Sequence, residues 1–314
     1  MMYQTTLLRT STLALLALTT SVLATAAQPQ ALVYRGPSAC QGCPEAVAKL
    51  LQGSPSKFTV TYVGPKEDTQ LSADSLSKVD VFAMPGGPDL NSAYSELSSR
   101  QTDLRNFVQN GGRYLGFCLG AFLAGSSPGF GLLPSGAGAT SERQQTNAQV
   151  KSSKDTIIQV DWTFRSTVST FDKGTTANSQ WVYFQDGAVI TGLNDNSTVL
   201  GRYSQNGDVA ASLTPYGKGW VALTGPHPEA TSDWYQAYRL NNPDGIKFDI
   251  GYDFVNAAMQ AGPLPTGSTG TGSAKPTSSS ESGWTSLGRG RGRTTLQNPI
   301  GMLVRGLTRL FLPS

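Results

Sequence analysis

The sequence predicts an α/β protein with a mostly parallel sheet covered by helices on both faces. Two observations support this. Between Ala31 and Gln260, short apolar segments alternate with amphipathic helical stretches, at the spacing of strand–helix–strand units. The 314 residues are 38% hydrophobic and 14% charged, which suits a large core. This balance excludes a coiled coil, a polytopic membrane protein and a highly charged disordered chain.

The first half of this region supplies four strands and two helices. We predict strands at 32–34, 58–63, 79–84 and 114–117, and helices at 44–51 and 102–109. A Pro-Gly-Gly-Pro run at 85–88 ends the third strand, and Asn110 with two following glycines ends the second helix.

The second half contributes β-rich additions to the sheet. Candidate strands lie at 156–160, 181–184, 198–203, 209–213 and 220–224, and a closing helix at 252–260. Residues 131–155 are expected to run as a long surface excursion. No internal repeat is visible, and a single domain fits best.

The amino-terminal 26 residues resemble a secretory signal peptide. Arg9 supplies the basic region, an apolar stretch begins at Leu13, and Ala24-Thr25-Ala26 offers a cleavage site before Ala27. The apolar stretch is too short and too interrupted for a membrane anchor. We therefore expect a secreted, extracellular protein, in which Asn196 is an acceptor for N-glycosylation.

The carboxyl-terminal segment 263–314 differs in composition. A Gly/Ser/Thr-rich stretch is predicted to be a disordered linker, followed by a basic tail with Arg305 and Arg309 on one face of an amphipathic segment. The tail either contacts an anionic membrane surface or has no role. Because most of the excess basic charge lies there, the body is mildly acidic, and we expect no nucleic-acid partner.

The predicted export of the protein decides how its three cysteines are interpreted. Cys40 and Cys43 form a C-x-x-C pair, which outside the cytosol favours a disulfide. With one histidine in the chain, a structural zinc site is not expected, and neither a metal nor another cofactor is predicted. Cys118 remains as an odd thiol.

Two loops at predicted strand ends bear the candidate chemistry. Residues 116–120 read G-F-C-L-G, the cysteine version of a nucleophile elbow, in which a helix amino terminus favours the thiolate. The second loop holds His227, a candidate base, and Glu229, which can orient its ring. We predict Cys118, His227 and Glu229 as catalytic residues; a buried cysteine and a surface His-Pro turn are the structural alternatives.

A third loop follows the strand at 79–84. Consecutive glycines there leave backbone N–H groups free to face an anion. Gly86 and Gly87, together with the N–H of Leu119, are the candidate oxyanion hole.

These loops, in this order, resemble the class I glutamine amidotransferase-like superfamily. Segments 33–37, 84–90, 111–120 and 225–229 are more specifically similar to the amino-terminal domain of biotin–protein ligases. The resemblance covers residues 31–262 and implies a flavodoxin-like doubly wound fold, with the triad at the three positions above. It divides the chain into a signal peptide (1–26), this domain (27–262) and a tail (263–314).

Two further features qualify the resemblance. Amidotransferases usually carry a glutamine where this chain has Phe122, so an amide-recognising side chain is missing. In the tail, residues 288–292 and 299–301 resemble the biotin- and adenylate-binding loop of the ligases, with Leu296 in place of a tryptophan. The remainder of a ligase catalytic domain does not follow.

Three functions remain open on these grounds. The first is a secreted hydrolase that cleaves an amide or acyl bond of a small-molecule or peptide substrate. The second is an inactive binding or regulatory module of the same fold. The third is a thiol redox protein, because the Cys40–Cys43 loop emerges at the same sheet edge as Cys118. The sequence leaves the oligomeric state and the substrate open.

Overall fold

The computed structural model of the protein describes residues 28–168 and 170–262. These belong to the first of two units, Met1–Thr266. The predicted signal peptide at 1–26 and the predicted linker and basic tail at 263–314 lie outside the described residues. Within them, no helix has the length and apolar character needed to span a bilayer.

Eleven strands and seven α-helices form the described part of the chain. The strands are β1 (Gln30–Tyr34), β2 (Thr59–Val63), β3 (Val81–Met84), β4 (Arg113–Phe117), β5 (Gly138–Ser141), β6 (Thr156–Thr163), β7 (Thr176–Phe184), β8 (Ala188–Thr191), β9 (Thr198–Tyr203), β10 (Val209–Tyr216) and β11 (Gly219–Thr224). The helices are α1 (Cys43–Gly53), α2 (Ala73–Leu76), α3 (Leu90–Leu97), α4 (Gln101–Gln109), α5 (Leu119–Leu123), α6 (Ser232–Ala237) and α7 (Asp249–Gln260).

The main sheet has nine strands in the order β2-β1-β3-β4-β11-β10-β9-β6-β7. The first five run parallel, and their order is that of flavodoxin-like sheets, with β11 as the fifth strand. The other four extend the sheet in antiparallel fashion. The predicted fold class, doubly wound and mostly parallel with β-rich additions, is confirmed.

Apolar side chains cover both faces of the parallel strands. On one face Tyr114 of β4 lies in a cluster with Leu104 of α4 and Leu123 of α5. On the other face Phe117 of β4 meets Phe254 of α7, with their ring centroids 5.2 Å apart. Because both faces are buried, these strands read as continuous apolar runs in the sequence.

Several elements were missed by the sequence interpretation, namely α2, α3, α6 and the small sheet β5–β8. Helix α3 begins at a clear cap, since the side chain of Asp89 accepts a hydrogen bond from Ser92 N at 2.8 Å. Only Ala93 and Leu97 of this helix are buried. Leu90, Ala93, Tyr94 and Leu97 nevertheless recur at helical spacing and pack against the core, so the sequence interpretation overlooked a pattern that was present.

The expected surface excursion at 131–155 is wrong in part. This segment contributes β5, which pairs with β8, and it buries Leu132 in the core. Glu142 within it is also fully buried. The segment lacks a long apolar run, and its packing depends on β8, which lies far ahead in the sequence.

Candidate active site

The turn between β4 and α5 holds the candidate nucleophile. Cys118 has φ 48° and ψ −104°, which places a non-glycine residue at positive φ. Its N–H donates to the carbonyl of Thr224 at the end of β11, at 2.8 Å. Strained backbone of this kind is held by its surroundings and clusters at functional sites.

Both glycines of the elbow are required by close backbone approach. A Cβ on Gly120 would lie 2.2 Å from the carbonyl oxygen of Met84, the last residue of β3. A Cβ on Gly116 would lie 2.5 Å from the carbonyl oxygen of Gly120 itself. The elbow is therefore pressed against the end of the neighbouring strand, and side chains at these two positions would push it away.

The candidate base follows β11, the strand beside β4. In the parallel register Phe117 pairs with Thr224, so Cys118 and His227 leave the sheet at the same edge. His227 N donates to the carbonyl of Tyr183 at 2.8 Å, and His227 Nδ1 lies 2.8 Å from Glu229 Oε1. These bonds fix the backbone and the ring of the histidine.

The space beside Gly86 shows that these groups converge. A Cβ built on Gly86 would lie 2.8 Å from His227 Cε1, 3.5 Å from Cys118 Cβ and 3.6 Å from Cys43 Sγ. The imidazole, the free cysteine and one sulfur of the disulfide thus surround a single point. Glycine leaves that point empty.

Aromatic side chains enclose the imidazole. The ring of Tyr183 lies edge-on to His227 at 6.0 Å, and that of Trp234 at 5.3 Å. Tyr235 packs against Tyr183 in turn. The sequence interpretation missed Trp234 and Tyr235, although both aromatic residues follow the histidine loop within eight positions.

The electrostatics favour a charged histidine. Burial by itself lowers the pKa of His227. The charges of Glu229 and Cys118, together with hydrogen bonds to both residues, outweigh this effect and raise the pKa to about 10. His227 is 3% exposed and Glu229 is fully buried, so water screens these interactions poorly. A protonated imidazole beside the sulfur stabilises a thiolate.

The sulfur itself is covered. Cys118 is 7% exposed, and its Sγ lies 3.6 Å from the backbone carbonyl of Gln185, to which a thiol donates a hydrogen bond. The side chain of Gln185 donates to Asp155, which also accepts from the hydroxyl of Tyr183 at 2.5 Å. The β7–β8 turn is thereby held over the nucleophile.

The predicted oxyanion donors lie beside the elbow. A Cβ on Gly87 would lie 2.5 Å from the side chain of Leu119. Leu119 opens α5, and the first N–H groups of a helix have no partner within it. Gly86, Gly87 and Leu119 are thus brought together next to Cys118.

A cleft of about 670 Å³ lies beside the site, with Gly87, Tyr183 and Gln185 among the residues that line it. The disulfide Cys40–Cys43 forms part of its wall, and Gly87, Gln185 and Trp234 line other sides. Cys118 is the free cysteine. The cleft is wide enough for a substrate much larger than a single side chain.

The structure also bears on the glycosylation acceptor and on metal binding. Asn196 is exposed in the turn before β9, so its side chain is accessible. Across residues 28–168 and 170–262, no three His, Cys, Asp or Glu side chains group as ligands for a metal ion.

Residues 29–144 match the family described as "Biotin-protein ligase, N terminal". The matched segment is therefore similar to the amino-terminal domain of biotin–protein ligases. It contains Cys118, Gly86 and the Cys40–Cys43 pair, and it ends before His227 and Glu229. The resemblance inferred from short motifs is confirmed over this range.

Several solved structures are similar to the chain at low sequence identity. A candidate GMP synthase component from Thermoplasma acidophilum has 15% identity and a TM-score of 0.44, covering 74% of this chain and 98% of its own. A protein described as glutamine amidotransferase has 15% identity and a TM-score of 0.44, covering 66% and 95%. A cytoplasmic protein from Salmonella typhimurium LT2 has 12% identity and a TM-score of 0.40, covering 73% and 98%. The search of curated proteins found no match.

Proposed function

We propose that this protein is a cysteine-nucleophile hydrolase that cleaves amide or acyl bonds. The observation that carries the proposal is the meeting of Cys118 and His227 at the empty side of Gly86, with Glu229 2.8 Å from the histidine. A nucleophile, a base within reach and a third group that orients the base form the arrangement needed for acyl transfer.

The proposed reaction has two stages. The Cys118 thiolate attacks the carbonyl carbon, and the protonated His227 gives its proton to the leaving amine or alcohol, which leaves a thioester on the sulfur. His227 then takes a proton from water, whose oxygen attacks the thioester and releases the acid. Glu229 holds the ring and balances its charge in both stages.

The negative oxygen of each tetrahedral intermediate needs hydrogen-bond donors. The backbone N–H groups of Leu119 and Gly87 are proposed for this role, because both residues adjoin the elbow. The loss of one such donor typically costs about 3–4 kcal/mol in the barrier.

The substrate is proposed to differ from free glutamine. Phe122 of α5 is half-buried and packs against the core, and its ring has no hydrogen-bonding group to recognise an amide. The wide cleft walled by Trp234 and the disulfide accommodates a larger amide or peptide.

An activity-based screen tests the proposal. The full chain is treated with acyl and amide probes that form a covalent bond with nucleophilic cysteines, beside Cys118→Ala as the matched control. We expect at least one probe to label the native chain at a single site, and labelling to disappear in the variant. Equal labelling of both proteins would contradict a nucleophilic role for Cys118.

An inactive binding or regulatory module is the second candidate. The observation that favours it is the 7% exposure of Cys118 beneath the carbonyl of Gln185. On this alternative, a small-molecule amide occupies the cleft without turnover, and Cys118→Ser binds it as tightly as the native chain. Substrate consumption that stops in Cys118→Ser would exclude this candidate.

Export of the protein is proposed from the signal-like amino terminus. The exposed Asn196 and the Cys40–Cys43 disulfide are compatible with an oxidising compartment. We expect the protein recovered from the medium of secreting cells to begin at Ala27. Edman sequencing or intact mass measures this, and full-length protein retained inside the cells would contradict it.

A further inference from the structure

The disulfide lies beside the candidate nucleophile and forms part of the same site. Cys43 Sγ and Cys118 Cβ lie within 3.6 Å of one point, the position that a Cβ on Gly86 would take. Since that position is empty, no side chain of residue 86 separates the two cysteines. The mechanism above gives the disulfide no role.

The loop that carries the disulfide is also tied to the candidate oxyanion loop. Cys40 N donates to the carbonyl of Gly86 at 2.9 Å, and a Cβ on Gly87 would lie 2.0 Å from the carbonyl oxygen of Ser38. The chain from Ser38 to Cys43 therefore packs directly against the strand end that faces Cys118.

The two sulfurs of the disulfide differ in their surroundings. Cys43 opens α1 and is fully buried, whereas Cys40 is half-buried in the wall of the cleft. The point beside Gly86 lies 3.6 Å from Cys43 Sγ and 3.5 Å from Cys118 Cβ, whereas Cys40 faces the open cleft. His227 Cε1 lies 2.8 Å from the same point.

We propose that Cys118 undergoes internal thiol–disulfide exchange with Cys43. The Cys118 thiolate attacks Cys43 Sγ, the Cys43–Cys118 bond forms, the Cys40–Cys43 bond breaks, and Cys40 leaves as a thiolate that takes a proton from water. One disulfide and one thiol are present before and after, so no external oxidant is needed. The reverse attack by Cys40 restores the starting state.

Exchange switches off the nucleophile reversibly. A sulfur bonded to Cys43 cannot attack a carbonyl, and the freed Cys40 loop exposes a thiol in the cleft instead. This regulatory consequence rests on the proposed hydrolase function, but the exchange itself is a property of the three cysteines. Disulfide mapping and turnover therefore report on the two proposals separately.

A matched pair of variants tests the exchange in the full chain. Cys40→Ser leaves Cys43 and Cys118, and Cys43→Ser leaves Cys40 and Cys118. Both variants lack the native disulfide, so both lose whatever folding stability that disulfide provides. Each protein is incubated with oxidised glutathione near neutral pH, alkylated with iodoacetamide and digested with trypsin.

The tryptic map separates the possible products. Cleavage at Arg35 and Lys49 places residues 40 and 43 on one peptide, and cleavage at Arg113 and Arg143 places Cys118 on another. We expect the two peptides to be cross-linked in most of the Cys40→Ser protein, and to carry separate glutathione or alkyl groups in most of the Cys43→Ser protein.

Two outcomes would overturn the proposal. One is a folded Cys40→Ser protein, as judged by circular dichroism, whose peptides are not cross-linked. The other is equal cross-linking in both variants, which would show that proximity to Cys43 plays no part. In the native chain, the supporting result is a fraction with Cys43 bonded to Cys118 and Cys40 alkylated.

Discussion

Replacing His227 by alanine is expected to slow the alkylation of Cys118 by iodoacetamide on the order of 100-fold at about pH 6. In the native protein the pKa of His227 is raised, which favours a positively charged imidazole beside the sulfur. Alanine removes that positive charge, and a cysteine reacts with iodoacetamide through its thiolate. The rate is measured by mass spectrometry of the peptide that contains Cys118.

Glu229→Gln is the matched control for this experiment. The amide keeps the size of the side chain but removes the charge that raises the pKa of His227, so we expect a smaller loss of reactivity than in His227→Ala. Equal alkylation rates for the native chain and both variants would contradict the thiolate–imidazolium pair.

The raised pKa of His227 predicts how fold stability and the alkylation rate change with pH. The pKa of His227 is raised from 6.5 to about 10 in the folded protein. Its protonation therefore stabilises the fold fully below about pH 6.5, and this contribution is lost as the pH rises toward 10. The difference in alkylation rate between the native chain and His227→Ala is expected to shrink over the same range, because the native imidazole loses its positive charge there.

Asp253→Ala is expected to destabilise the fold by about 3–5 kcal/mol. The carboxylate of Asp253 is fully buried in α7 and accepts hydrogen bonds from Trp162 Nε1 at 2.9 Å, from Arg165 N at 2.9 Å, and from the N and Oγ of Ser166, both at 2.7 Å. Alanine would leave these donors unpaired. The antiparallel extension would thereby lose these hydrogen bonds to α7.

The midpoint of urea unfolding measures this effect, with Asp74→Ala as the control. Asp74 lies in α2, is exposed and pairs with Lys78 at 2.7 Å, so its removal should cost less than about 1 kcal/mol. A midpoint for Asp253→Ala equal to that of the control would show that the buried network contributes nothing to stability.

Short apolar segments made the parallel sheet predictable. Strands β1, β3 and β4 are buried on both faces, so runs of apolar residues mark them in the sequence. Strand β5 has no apolar run, and its position depends on pairing with β8, which is distant along the chain.

The elbow and the histidine loop were also recognisable, since tight turns at strand ends require specific residues. Gly116 and Gly120 must be glycines because carbonyl oxygens lie where their Cβ atoms would be. This requirement appears in the sequence as two glycines on either side of Cys118. Trp234 and the Gln185 carbonyl carry no such requirement. Their place around the imidazole and the sulfur comes from packing of α6 and the β7–β8 turn.

The sequence by itself determined the kinds of groups at the sheet edge, because composition and local turn geometry are properties of short segments. Only the tertiary structure decided that Cys43, Cys118 and His227 surround the empty side of Gly86. That arrangement depends on the parallel register of β4 with β11 and on the loop packed against the end of β3. Distances between segments about a hundred residues apart are set by packing of the whole sheet, which no short pattern encodes.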